Sequence, residues 1–574
     1  MKRIFSIALS LLLSLGAEAQ THEVHLSFLE TSDVHGNYLP YDFIKGEAGS
    51  GSLSRIHTYV QELRKGQGKE SVVLIDNGDI LQGQPTAYYY NYIDTTSTHL
   101  TAQILNYMKY DICTVGNHDV ETGHAVYDRW AAQCNAEVLG ANVIDNKSEK
   151  PYWKPYTILH RKGIKIAVLG MITPAIPQWL PETLWAGLHF EDLVETARHY
   201  MPEMKQQADI VIGVFHSGVG RDDENRHGAE QASIAVARHV PGFDLIFCGH
   251  DHRLANRTVV NTAGDSVLVL NPAANAHYVA QCDMKITLNK SKVTGKKIEG
   301  KLIPVDHFEP DAAFMKHFKP NLKAVQHFTN DEIGYNEQAI ETAPAFFGSS
   351  AFIDLIHRLQ LQISKADISF VAPLAFDACI PEGKIYVRDM FNLYRFENML
   401  YVMELTGQEI KDYLEFSYAG WTQQMKSIDD HLLLFREQPE NIKEPWQRLQ
   451  TPSYNFDSAA GIIYTVDITQ AAGQKVNILS MADGTPFSLN KKYRCAINSY
   501  RGNGGGGLLT QGAKIKPENL KERIVWSTDK DLRYYLMMSI RDMKHINPTP
   551  LDNWKFIPEN WVEAARKRDA LLLK

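Results

Sequence analysis

From residue 23 to about 305 the chain alternates short apolar runs with longer stretches of helical character. The runs are "HEVHLSFLE", "SVVLID", "DICTVG", "KIAVLGMI", "DIVIGVF", "FDLIFCG" and "SVLVLN". Each is rich in Val, Ile, Leu or Phe and gives way to a polar or glycine-containing turn. Continuous apolar strands separated by helices predict a sheet covered on both faces. Residues 306–345 are polar and charged and predict a helical connector. Beyond it the pattern changes. "GSSAFIDLIHRLQLQISKADISFV" predicts a helix leading into a strand, and "RDMFNLYRFENMLYVMELTGQEIKDYLEFSY" a short helix, a strand and a helix. "GIIYTVDIT" adds a strand, and "KYRCAINSYRGNGGGG" a strand that ends in a glycine loop. Residues 346–547 therefore predict an α+β domain, with a short helical tail over 548–574. No internal repeat interrupts this order.

Composition narrows the class. The chain has 574 residues, of which 44% are hydrophobic and 22% charged, the balance of a globular protein long enough for more than one domain. Its net charge of -8 argues against a dedicated binder of nucleic-acid polymers, which carries a basic face. That charge is compatible with a small anionic substrate held through a metal. At the N-terminus, Lys2 and Arg3 precede an apolar stretch from Ile4 to Leu15 and the small-x-small sequence Ala17-Glu18-Ala19. Residues 1–19 thus read as a signal peptide, too short for a span of about 20 residues. The mature protein is expected to begin near Gln20 and to be exported, into the periplasm if the source is Gram-negative. No stable membrane insertion is expected. The six cysteines are irregularly spaced and form no CxxC pair, so most are expected to be buried small hydrophobes, with one disulfide left open.

Polar residues that apolar strands do not need gather at their ends. "ETSDVHGN" gives Asp33 and His35, "DNGDILQG" gives Asp79, "VGNHDVETG" gives Asn117 and His118, and "FHSGVG" gives His216. "FCGHDH" then presents His250 and His252 directly after a strand. Groups of this kind are costly to bury unpaired, so something must satisfy them. In open α/β sheets the carboxyl ends of strands converge on one crevice. Five separate segments can therefore aim Asp, Asn and His at one place. Two divalent cations about 3.5–4 Å apart need such a set, with one bridging carboxylate. Mixed imidazole and carboxylate ligands suit Zn, Mn or Fe.

On Asp33-x-His35, Gly78-Asp79, Gly116-Asn117-His118-Asp119, His216 and Gly249-His250-x-His252 the chain resembles the calcineurin-like dinuclear metallophosphoesterases. Its order of domains resembles the 5'-nucleotidase superfamily, over about residues 24–547. The resemblance implies a four-layer α/β/β/α metallophosphoesterase domain over 20–305 and a nucleotide-binding C-terminal domain. It implies that Asp33, His35, Asp79 and His252 hold one metal and Asp79, Asn117, His216 and His250 the other. Asp251 would point away and could orient a ligand. A metal-bridging hydroxide would attack phosphorus, with His118 assisting the departing or non-bridging oxygen. The family orients that histidine with an Asp three residues on; here Glu121 stands there, either in the same role or as an ordinary residue at a helix start.

The second half departs from the 5'-nucleotidases proper. "VAPLAFDACIPEGKI" lacks their Gly-Gly turn and its arginine, and "ETAPAFFGSS" lacks a second arginine. "SYNFDSAAGIIYTVDIT" and "INSYRGNGGGG" resemble instead the 2',3'-cyclic-nucleotide 2'-phosphodiesterase/3'-nucleotidase branch. Phe396 and Tyr500 match positions where the superfamily stacks a base between two rings. Gly506 stands where an Asp often contacts the ribose. Arg388, Arg395 and Arg501 could contact phosphate but read more readily as solvated surface charges, and receive no role. The expectation is an exported phosphohydrolase with two divalent ions, acting on small nucleotides. A 5'-nucleotidase or nucleotide-sugar hydrolase is the enzyme alternative, and a non-catalytic nucleotide-binding or surface-interaction protein the other. Oligomeric state is not legible.

Overall fold

The computed structural model describes residues 21–221, 227–290, 292–437 and 445–573. The expected signal peptide lies outside them. Residues 21–305 build two six-stranded sheets. In the first, Thr21–Thr31, Val72–Asp76, Ile112–Thr114 and Glu137–Leu139 run parallel, with Tyr278–Asn289 and Lys292–Pro304 added antiparallel. In the second, Ile164–Ile172, Ile210–His216, Leu245–Cys248 and Ser266–Pro272 run parallel between two antiparallel edge strands.

Alternate side chains divide the core into layers, as the period of two in a strand requires. Phe28, Val73 and Ile75 of the first sheet meet Val168, Val214 and Phe247 of the second in one buried cluster. Their neighbours Leu29 and Leu74 turn outward, under Ile56, Leu105 and Trp130 of the helices on that side. Leu169, Phe215 and Ile246 turn the other way, onto Ala197, Met201 and Val236. The result is helix, sheet, sheet, helix. The apolar pattern predicts strands buried on both faces, and they are; the inner cover is the other sheet rather than helices. The antiparallel edge strand Lys292–Pro304 escapes that pattern, since it holds no fully buried residue.

Residues 306–345 are helical only in part. Helices Ala312–His317 and Lys319–Thr329 are followed by Glu332–Asn336, which pairs with Gly383–Tyr386 and His545–Ile546. The C-terminal domain centres on a mixed five-stranded sheet that includes Ile368–Val371, Met399–Thr406 and Lys492–Asn498, packed on helices Ala351–Ser364 and Gly407–Trp421. Residues 548–574 contribute to this core. Trp554–Ile557 pairs with Ile462–Asp467, and buried Asp569 of the last helix accepts hydrogen bonds from the backbone N–H groups of Leu432 and Leu433. All six cysteines are free, and Cys113, Cys248, Cys282 and Cys495 are buried. No helix among the described residues is long and apolar enough to cross a membrane.

Candidate active site

Both sheets deliver side chains to one end of the N-terminal domain. Asp33, His35 and Asp79 follow strands of the first sheet, and Asn117 opens the short helix Asn117–Val120 after another. His216 ends its strand in the second sheet, and His250 and His252 follow Leu245–Cys248. Five of these seven residues have left-handed backbones: Asp33 (φ 50°), His35 (48°), Asp79 (53°), His250 (71°) and His252 (55°). Each such residue costs about 1–2 kcal/mol, and clustered strain of this kind marks functional loops.

Neighbouring residues hold the loops in place. The Asp119 carboxylate is fully buried and accepts four backbone N–H groups: Ile80 and Leu81 on Oδ1 (2.9 and 2.8 Å), Asp79 and Gly116 on Oδ2 (both 2.8 Å). Gly116 must be glycine, because a Cβ there would lie 2.1 Å from Asp79 Oδ1. Asp251 points away from the cluster, as expected. It accepts from the Val219 backbone and the Asn271 side chain, so it fixes loops rather than orienting a ligand.

The donor atoms form two groups that share Asp79. Asp33, His35, Asp79 and His252 form one, Asp79, His216 and His250 the other, and within each the atoms lie within 4.8 Å of one another. The Asn117 amide oxygen joins the second, 2.7 Å from His250 Nδ1 and 3.2 Å from His216 Nε2. His35 Nε2 and His252 Nε2 face each other at 3.0 Å. Three histidines have the other ring nitrogen occupied: His35 Nδ1 by the Gln82 carbonyl, His216 Nδ1 by the Asn77 carbonyl, and His250 Nε2 by Glu230 Oε1 at 2.9 Å. Such partners fix the orientation of metal-ligating histidines. The buried Asp79 Oδ2 makes no well-formed hydrogen bond, although His216 Nε2 stands 3.2 Å away. A buried carboxylate shared by two groups of imidazole and carboxylate donors fits a pair of divalent ions. Burial, with His252 nearby, lowers the His35 pKa to about 4, the neutral form a metal requires. Burial acts the same way on His216, but Asp79 and Asp33 outweigh it and raise its pKa to about 10. A bound cation would replace that proton.

His118 stands beside this cluster. Its Nδ1 lies 2.5 Å from Glu121 Oε2, and the Glu121 side chain is only 6% exposed. Glu121 is therefore paired with His118 rather than left as a free residue at a helix start. Burial works to lower the His118 pKa, but Asp79 and Glu121 hold it at about 9.

Between the two domains lies a cavity of about 410 Å³, lined by Asn117, His118 and His250 on one side and by Phe396 and Tyr500 on the other. Two of the expected ligands, Asn117 and His250, thus share one space with the expected ring pair. Seven lining residues were not anticipated, Trp179, Glu230 and Tyr454 among them. Trp179 stacks on His250, with ring centroids 5.6 Å apart; Glu230 is the partner of His250; Tyr454 stands near the two rings. Arg501 overturns its sequence reading: it is 1% exposed and paired with Asp457. Arg388 and Arg395 do not line the cavity.

Comparison with known proteins agrees with this architecture. Residues 26–254 match the calcineurin-like phosphoesterase family, and residues 325–512 match the 5'-nucleotidase C-terminal domain. The chain is 26% identical to the 2',3'-cyclic-nucleotide 2'-phosphodiesterase/3'-nucleotidase of Haemophilus influenzae, over 93% of this chain and 88% of that one. It is 26% identical to the trifunctional nucleotide phosphoesterase of Bacillus subtilis, over 94% of this chain but only 39% of that longer protein. The structure of a 5'-nucleotidase precursor from Thermus thermophilus superposes with a TM-score of 0.62 at 20% identity, over 93% of this chain and all of that one.

Proposed function

The chain joins a calcineurin-like phosphoesterase domain to a 5'-nucleotidase C-terminal domain and is a phosphoester hydrolase; from that premise we propose that it acts on 2',3'-cyclic nucleotides and then on the 3'-nucleotides they yield, releasing nucleosides and phosphate. One observation carries the reading. Asn117 and His250 of the donor set, His118 and the rings Phe396 and Tyr500 open onto a single cavity, whose volume falls within the range of small-ligand sites, about 300–1,000 Å³. The choice of ester is supported by the stretch that lacks the arginine turn. From that stretch it is the apolar Leu374 that lines the cavity. The likeness to the Haemophilus enzyme supports the same choice.

Asp33, His35, Asp79 and His252 would hold one divalent ion, and Asp79, Asn117, His216 and His250 the other. With imidazole and carboxylate mixed, the ions are Zn, Mn or Fe. When bound, they supply Lewis-acid charge against the phosphoryl group and a nucleophile at neutral pH. The chain's own residues do the rest. Glu121 takes His118 Nδ1 and so leaves Nε2 for the substrate, where it donates a proton or hydrogen bond to the oxygen that gains charge. Phe396 and Tyr500 hold the base, and base–aromatic stacking contributes about 1–3 kcal/mol without reading base identity.

The test is phosphate release by metal-loaded protein from 2',3'-cyclic AMP, 3'-AMP and 5'-AMP, each with and without chelator. Turnover of the first two, lost with chelator, is expected. A preference for 5'-AMP would replace this reading with a 5'-nucleotidase, and no turnover with a binding role. Export is part of the proposal; the mature chain isolated from its source should begin near Gln20.

A further inference from the structure

The segment Tyr454-Asn455-Phe456-Asp457 lies 44 to 47 residues before Arg501 in sequence, yet three of its four residues are bonded to it. Arg501 Nε donates to Asp457 Oδ2 (3.1 Å), Nη1 to Asn455 Oδ1 (3.0 Å) and the Gly505 carbonyl (2.6 Å), and Nη2 to the Tyr454 carbonyl (2.7 Å) and Asp457 Oδ1 (3.2 Å). A guanidinium has five N–H donors, and all five are taken. None remains for a phosphate. Phe456 anchors the same segment by stacking on Trp421, with centroids 5.1 Å apart. Between these anchors the Tyr454 ring faces outward, 37% exposed, into the cavity. It stands edge-on to Phe396 (6.5 Å, 84°) and to Tyr500 (6.4 Å, 85°).

We propose that Tyr454 is a third wall of the base slot and sets how a planar heteroaromatic base seats there, with Arg501 as the residue that positions it. This rests on reading the cavity as a nucleotide site. Arg501 serves both sides of the slot, since its guanidinium also lies 5.4 Å from the Tyr500 ring centroid. The arrangement accounts for Gly506. A Cβ there would come 2.1 Å from Arg501 Nη1 and 2.3 Å from Asn455 Oδ1, so no side chain fits while the arginine is in place.

The experiment uses hydrolysis of 4-nitrophenyl phosphate, an ester without a base, by the metal-loaded full chain. Adenosine is added as competing ligand, and KM and kcat for 2',3'-cyclic AMP are measured alongside. Tyr454→Ala should raise the adenosine Ki and the nucleotide KM about three- to tenfold, the scale of an edge-on ring contact. The nucleotide kcat and all constants for the aryl ester should stay unchanged. Tyr454→Phe, which keeps the ring, should restore the wild-type Ki. Arg501→Lys keeps the charge but loses the fork, and should follow Tyr454→Ala. An unchanged Ki in Tyr454→Ala, where adenosine inhibits the wild type, overturns the third wall alone. Equal losses on the aryl ester overturn it too, by showing a support for the whole cavity. A wild type that cleaves the aryl ester but neither binds adenosine nor cleaves nucleotides overturns both the wall and the nucleotide reading.

Discussion

Asp119→Asn tests whether one carboxylate holds the metal-site loops together. Asp119 offers each of its oxygens to two backbone N–H groups, all between 2.8 and 2.9 Å. An asparagine keeps the shape but turns one acceptor into an NH2 group. In either amide orientation, two buried N–H donors then face another donor. Each orphaned donor costs about 1–3 kcal/mol, so the raw penalty is about 2–6 kcal/mol. One effect works against it. Burial and then the nearby Asp79 charge raise the Asp119 pKa to about 6, and the neutral amide escapes that repulsion. The expected loss therefore lies toward the lower end, about 2–4 kcal/mol. It should appear in the apparent unfolding free energy from urea titrations of chelated protein. Because Asp79 is shared by both donor groups, divalent-ion affinity by calorimetry should also fall, by about 10- to 100-fold. A variant within about 0.5 kcal/mol of wild type, the range of an ordinary surface change, and with unchanged affinity, would refute the reasoning.

Other outcomes follow from the same geometry. Glu121→Gln should lower kcat by about 10- to 100-fold with KM little changed, since it loosens His118 without touching the base slot; steady-state kinetics check this, and an unaltered kcat counts against the pair. His216→Ala and His250→Ala should each abolish chelator-sensitive hydrolysis and lower bound metal measured by elemental analysis, and undiminished hydrolysis would end the two-ion reading. Glu397 follows Phe396, accepts from Tyr92 of the other domain at 3.2 Å, and is raised by burial to about 8 despite Arg533 being 3.6 Å away. Its folded pKa lies above the 4.5 of a free glutamate, so the stability it contributes is complete below 4.5 and lost as pH rises toward about 8. Glu397→Gln should therefore gain on the wild type in melting temperature between pH 5 and about 8, and parallel curves across that window would contradict the sign.

The first domain's strands and the ligand-type residues at their ends were legible because their signal is local, whereas the facing of two sheets was implied only by the resemblance. Apolar runs mark the strands, and ligand-type residues sit directly after them. What the sequence hid depends on partners distant in the chain. Arg501 reads as a surface charge until the fold brings Asp457 to it from 44 residues away. Glu230 and Trp179 carry no local pattern; only their approach to His250 gives them meaning. Trp554–Ile557 looks like part of a helical tail because nothing nearby shows that Ile462–Asp467 will pair with it. Glu121 was half legible: its spacing from His118 suggested a pair, while its burial came from the fold.

The left-handed loops bear on how such a chain would evolve. At Asp33, His35, Asp79, His250 and His252 the backbone favours glycine, the one residue with no side chain to offer a metal. A laboratory selection for heat resistance alone, run on metal-free protein, would reward glycine at these places and steadily delete the site. A lineage released from the need for turnover would drift the same way, becoming sturdier as it fell silent. Five non-glycine residues at such positions are what a metal-holding role would require, at a cost the fold bears elsewhere.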